Sequence, residues 1–214
     1  MNERGDHQWD ALELAAAFSF THELFRPAAS EQYEWLIGET CAESWRYLTQ
    51  AFPHFQDHLD LPPAFGDFES RFIATFDVGV PAPPVPILES HYNKRDPLPK
   101  ILHENILFYQ QFGLRLSSAS NESADHLRHQ LEFVSYLFSL LARAEASSDP
   151  GNPDRAAQIC QALEDYLSRH LLSWLPQAVA AAQDAPLAAA RQILEMALEL
   201  SRAGLKHASK HQVA

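Results

Sequence analysis

The strongest helical periodicity in the chain lies between residues 121 and 144. Leu127, Leu131, Val134, Leu137, Phe138 and Leu141 recur there at steps of three and four, so they share one helix face. Phe133, Tyr136 and Leu140 widen that face until most sides are apolar, which predicts a helix near the centre of an all-α core. Its entry is polar. Asn121 or Ser123 is placed to cap it, and Asp125-His126 sits where the chain enters the helix, with the acids suited to the positive end of the helix dipole.

The same reading divides the rest of the chain. Leu12, Leu14, Ala15, Phe18 and Leu24 predict a helix over 9–25, stopped by Pro27. Tyr33, Leu36, Ile37, Cys41, Trp45 and Leu48 predict one over 30–52, ended by Pro53. After a loop at 54–63, Phe65, Phe68, Phe72, Ile73 and Phe76 fall on one side of a helix over 64–76. From 78 to 99 the density of Pro81, Pro83, Pro84, Pro86, Pro97 and Pro99 predicts a stiff extended crossover with neither helix nor sheet. A helix over 98–112 ends at Gly113, a left-handed stop, and a polar hinge at 117–122 leads to the central helix. A turn at 147–152 precedes a helix capped by Asn152 that reaches about His170. Pro176 either breaks this helix or starts a short next one, and 184–186 opens a last helix whose basic end, 206–214, frays. The expected fold is all-α, a single domain over 1–214 made of about eight to ten helices with a long proline-rich crossover.

Composition agrees. The 214 residues are 46% hydrophobic, with 13 Phe and 4 Trp, enough for a sizeable core. Glycine is scarce at 7, and Ala, Leu, Glu and Gln favour helix. The formal charge of −12 disfavours nucleic acid and anionic membrane surfaces as partners and favours a basic peptide. The same acidity would serve solubility alone. Two cysteines without C-x-x-C spacing, a polar start and no long apolar run predict a reducing, cytoplasmic setting without membrane insertion.

Candidate chemistry is sparse. No G-x-S-x-G, P-loop or G-x-G-x-x-G is present, and Asp125-His126, adjacent on a helix, would point about 100° apart, too far to act as base and orienter. His54 and His58 flank Asp57 at metal-ligand spacing but lack a further ligand nearby, and His207 and His211 are expected to be solvated. Neither enzyme activity nor a cofactor nor a metal site is expected. Two readings of Asp125-His126 stay open: a capping acid beside a satisfied buried imidazole, or a site where Asp125 accepts hydrogen bonds from a cationic peptide and His126 lines the same groove.

Several phrases occur in a recognisable order. Asp125-His126-Leu127 with Leu131-Glu132-Phe133 resembles the D-H-L…E-L-E-F-M signature of the TorD/DmsD/NarJ chaperones, the cytoplasmic maturation factors of molybdenum enzymes of the dimethyl sulfoxide reductase family. Ala124, Gln130 and Val134 depart from that signature. Leu24-Phe25-Arg26-Pro27, Phe72-x-x-Thr75-Phe76, Phe108-Tyr109-x-x-Phe112-Gly113-Leu114 and Leu171-Leu172-x-Trp174-Leu175-Pro176 match further phrases of the family. Pro86 through Tyr92, P-I-L-E-S-H-Y, followed by Arg95-Asp96-Pro97, is most similar to the subgroup serving type II enzymes. The resemblance implies a dedicated chaperone that binds the apo catalytic subunit, through its N-terminal twin-arginine signal peptide or a vestige of it, and assists molybdenum cofactor insertion before export. A peptide site would then use Asp125, Glu89 and Glu132 for the arginines, with Phe72, Phe76, Tyr92 and His126 lining an aromatic groove. A monomer is expected, with a dimer conceivable by exchange across the crossover. The alternative is a metal- or nucleotide-dependent regulatory helical protein.

Overall fold

A computed structural model describes residues 7–117, 122–147 and 152–210. They form ten α-helices and no strand, as the all-α expectation requires. The first, α1 (Ala11–Glu23), opens on a capping box: the Asp10 carboxylate accepts from the Glu13 N–H at 2.8 Å, and the Glu13 carboxylate accepts from the Asp10 N–H at 3.0 Å. Its apolar side lies along α7 (Leu127–Ala146), where Phe18 stacks on Phe138 at 5.8 Å and the Ser135 hydroxyl donates to the Ala15 carbonyl at 2.8 Å. The central position assigned to α7 is observed: Leu127, Leu131, Val134, Leu137, Phe138 and Leu141 are all fully buried. α8 (Asn152–Tyr166) and α10 (Ala189–Lys210) complete the layer around it. At Gly204 a Cβ would come within 3.1 Å of the Phe138 ring, so glycine allows α10 to press against α7.

The region predicted as one helix over 30–52 is two, α2 (Ser30–Leu36) and α3 (Glu39–Ala51). Gly38 takes an extended conformation between them and serves as the N-cap of α3. The apolar pattern in the sequence continues across the break, which is why periodicity alone joined the two, but Ile37, expected in the buried stripe, is 57% exposed at the turn. α4 (Phe65–Phe72) passes into a π-helical turn at Ile73–Asp77. The crossover is not devoid of helix: the proline-free gap after Pro86 holds α5 (Glu89–Tyr92), and Leu88 forms an isolated bridge with His126. α6 (Leu98–Gln111) ends near Gly113, whose φ of 77° is the expected left-handed stop. α8 likewise runs into a π turn, Leu167–Leu171. Pro176 falls in the first turn of a short helix, α9 (Leu175–Ala181), and α10 starts later than 184–186. His207 is not solvated as expected. It is half-buried, its Nδ1 3.0 Å from the Trp9 carbonyl. Asn121 and His211 lie outside the described residues.

Candidate functional site

The start of a helix leaves its first N–H groups without partners inside the helix. Here two helix starts solve that problem for each other. At α7 the Leu127 N–H donates to the Ile87 carbonyl at 3.0 Å, and the Arg128 N–H donates to Nδ1 of His126 at 3.2 Å. At α5 the Glu89 N–H donates to the Asp125 carbonyl at 3.1 Å, and the Ser90 N–H donates to Oδ2 of Asp125 at 2.9 Å. The other oxygen of Asp125 accepts from the Ser123 hydroxyl. Asp125 and His126 therefore precede the helix instead of lying on it, and His126, not Asn121 or Ser123, is its cap. The E-S and D-H phrases, 35 residues apart from Ser90 to Asp125, are two halves of one clip.

Behind the clip sits a buried polar cluster. Oε2 of Glu89 accepts from Gln130 Nε2 at 2.7 Å and Asn105 Nδ2 at 3.1 Å, and lies 3.0 Å from Nδ1 of His170. The Tyr166 hydroxyl donates to Oδ1 of Asn105 at 2.7 Å, the Tyr109 hydroxyl donates to the Ala124 carbonyl at 2.8 Å, and Trp174 Nε1 donates to Gln130 at 3.3 Å. Each buried polar atom that pairs here avoids a desolvation penalty of about 1–3 kcal/mol. Burial pushes both tyrosine hydroxyls well above their ordinary range. Four helices and the π turn that carries His170 meet at this cluster, so its pairing fixes their register. Tyr92 stacks on Trp174 at 5.5 Å, and burial raises its hydroxyl to about 12.

On the outer side of the clip a second, half-buried cluster gathers. Arg128 Nη1 is 2.6 Å from Oε1 of Glu122. Oε2 of the same Glu122 lies 3.9 Å from His126 Nδ1 and 3.5 Å from His129 Nε2. Burial lowers the His126 imidazole to about 4, outweighing the attraction of Glu122, while His129 and Arg128 press in the same direction as burial. Glu132 lies one turn beyond, 4.0 Å from His129, which holds its carboxyl below the usual range.

The structure thus joins Glu89, Asp125 and His126 in the clip, places Tyr92 one turn along α5 against Trp174, and sets Glu132 at the edge of the outer cluster. Phe72 and Phe76 stand apart in the core, their rings 5.0 Å from each other and joined by Phe25 and Phe68. They reach the crossover through the Thr75 carbonyl, which accepts from the Val85 N–H at 3.0 Å. The oxygens of Asp125 and Glu89 are engaged within the fold, whereas the Glu132 side chain is 66% exposed. No local pattern in the sequence marks Asn105, Tyr166 or His170 as members of this cluster. Gln130 carried a signal, because it interrupts the apolar face of α7 between Leu127 and Leu131. Among the described residues, no group of three or more His, Cys, Asp or Glu is placed to hold a metal, and no helix is long and apolar enough to cross a membrane.

Comparison with known proteins places this geometry in context. A family model described as nitrate reductase delta subunit matches residues 39–180, a span that holds all seven candidate residues. The chain is 35% identical over 118 residues to the perchlorate reductase assembly chaperone protein of Dechloromonas aromatica (strain RCB), covering 55% of this chain and 50% of that protein. It is 31% identical over 136 residues to the selenate reductase assembly chaperone protein of Thauera selenatis, covering 64% and 65%. It is 28% identical over 137 residues to the chlorate reductase assembly chaperone protein of Ideonella dechloratans, covering 63% and 65%. The matched stretch thus spans between half and two thirds of these relatives' length.

Proposed function

The chain belongs to the nitrate reductase delta subunit family, and from that premise we propose that it is a system-specific maturation chaperone and not an enzyme. Its client is the apo catalytic subunit of a type II molybdenum enzyme of the dimethyl sulfoxide reductase family. It binds that subunit in the cytoplasm, through the N-terminal signal peptide, and assists cofactor insertion and assembly before export. The names of the relatives, assembly chaperones of three oxyanion reductases, support the client class.

The observation that carries the reading is the clip. It fixes His126 beside the half-buried Glu122 and His129, with the exposed Glu132 one turn further along α7, while Tyr92 packs on Trp174 at the α5 side of the clip. Such an edge suits a ligand with a basic head: Glu132 meets the arginines, while Asp125 and Glu89 act from behind by fixing the edge, and Phe72 and Phe76 brace the crossover. A micromolar complex needs about 8 kcal/mol. Exposed ion pairs give about 0–1 kcal/mol each, so apolar contact supplies most of the affinity. The metal-dependent alternative has no donor set behind it among the described residues.

The test is capture of the tagged protein from its native cells grown anaerobically, with the bound chains identified by mass spectrometry. Recovery of one large catalytic subunit, with less of it retained by Glu132→Lys, is the expected result. Recovery of no such subunit from cells that express the reductase contradicts the proposal.

A further inference from the structure

On the α5 side of the clip the chain gathers positive charge. A polar crevice of about 590 Å³ opens there between the segment that follows α5, the helix α6 and the π turn at Leu167–Leu171. Lys94 and Arg95 line it from the first, Lys100 from the second and Arg169 from the third. All four residues are exposed, and they are four of the chain's 16 Lys and Arg. Two carboxylates at the rim answer them: Lys100 Nζ lies 2.5 Å from Asp96, and Arg169 Nη2 lies 3.1 Å from Glu104. The third carboxylate at the crevice, Glu89, is 1% exposed and engaged by Gln130, Asn105 and His170. Lys94 Nζ donates to the Ser90 carbonyl at 3.3 Å and meets no carboxylate among the described residues. The Arg95 guanidinium has no partner among them.

This local excess of positive charge calls for an acidic occupant. The formal charge of −12 on the whole chain does not oppose it strongly, because at physiological ionic strength charges beyond about 8 Å are largely screened. A compact phosphate group would draw on backbone N–H groups at a helix start or a glycine-rich turn. The crevice is poor in them: no glycine is among its lining residues, and Pro97 and Pro99 remove donors from the start of α6. Its chemistry lies in side chains instead. The exposed Ser168, Ser173 and Gln177 add hydroxyl and carboxamide groups that can give and take hydrogen bonds with a peptide backbone. Tyr92 adds a further donor. It lines the crevice, and its buried hydroxyl, which burial keeps protonated, has no partner among the described residues, so an acceptor brought by a ligand would satisfy it.

We infer that this crevice docks an acidic segment of a protein partner, with Arg95 and Lys94 as the anchoring cations. The inference does not rest on the proposed function. Its ligand has the opposite charge to the client segment invoked there, and the crevice is defined by its own residues.

The test uses the full-length protein and a fluorescently labelled synthetic peptide of alternating glutamate and serine. The unaltered protein should bind it, with binding weakened about tenfold by Arg95→Glu and severalfold by Lys94→Glu. The same peptide with glutamine in place of glutamate should bind about tenfold more weakly or worse. Arg155→Glu reverses an exposed charge on α8, outside the crevice, and should change the affinity by less than about twofold. Thermal unfolding checks that each variant is folded, and if Arg95→Glu is not, Lys94→Glu decides. The inference is overturned if the unaltered protein does not bind the peptide, or if Arg95→Glu binds it as tightly as the unaltered protein does. It is overturned if Arg155→Glu weakens binding as much as Arg95→Glu, because bulk charge then accounts for the effect. It also fails if inorganic pyrophosphate displaces the peptide and binds more tightly, since the occupant is then a phosphate compound. A dimer in sedimentation that Arg95→Glu converts to monomer makes a second copy the occupant, and overturns it too.

Discussion

His126 caps α7 only while Nδ1 keeps its lone pair, because that atom accepts the Arg128 N–H. Its surroundings enforce this state. Burial, with His129 and Arg128, lowers the imidazole from 6.5 to about 4 against the pull of Glu122 and Asp125. The unfolded chain therefore binds this proton before the folded one does. Stability from this group is complete above pH 6.5 and is lost as pH falls towards about 4. The loss amounts to at most about 3 kcal/mol. His126→Asn keeps a capping acceptor and removes the titration. Urea unfolding at a series of pH values should show a flatter slope between these limits for the variant, with stability at pH 7 within about 1 kcal/mol. An unchanged slope would assign the acid sensitivity elsewhere. Glu89 makes a complementary case. Gln130→Leu keeps volume in the α7 face but removes a donor to a buried carboxylate, and should destabilise the fold by about 1–3 kcal/mol in the same assay. At this scale the sequence was half legible. Asp125, His126 and Glu89 stood out as polar residues in telling phrases, but their partners did not. Asn105 and His170 lie 16 and 81 residues from Glu89, a distance that no local pattern bridges.

At the level of elements, mutual capping of α5 and α7 makes one unit of two segments that periodicity treats separately. Asp125→Ala removes the acceptor of the Ser90 N–H and should cost about 1–2 kcal/mol, with Asp125→Asn recovering part of it. Hydrogen exchange at Ser90 is the sharper readout, since its protection should fall in Asp125→Ala while that of the α7 interior is retained. Gly113→Ala meets a backbone at φ 77° and should destabilise by about 1 kcal/mol. Long helices with a dominant face, α6 and α7, were legible because burial on one side imposes a period on the sequence, whereas in α1 Leu12, expected among the inward apolar positions, is 67% exposed. The break at Gly38 was not, since the apolar stripe of α2 continues into α3. Nor were the π turns at Ile73–Asp77 and Leu167–Leu171, where tertiary contacts decide how tightly a helix winds. The proline count marks the crossover as irregular, but between Pro86 and Pro97 no proline opposes a helical turn, and α5 forms there.

For the whole molecule, an all-α body packed around α7 holds two surfaces of different chemistry. One is the outer edge of the clip, where His126, Glu122, His129 and Glu132 gather at the start of α7, held by the cluster around Glu89 behind it. The other is the crevice on the α5 side, where Lys94, Arg95, Lys100 and Arg169 gather. Under the proposed function, the negative charge of the whole chain favours the encounter with a basic client segment. The most direct measurement of the central claim is the molybdenum content of the reductase catalytic subunit, determined by elemental analysis in cells with and without this protein. Loss of the protein should leave the subunit made but with molybdenum reduced about tenfold or more, and restoring the unaltered chain should restore it. Full molybdenum occupancy in its absence would contradict the account.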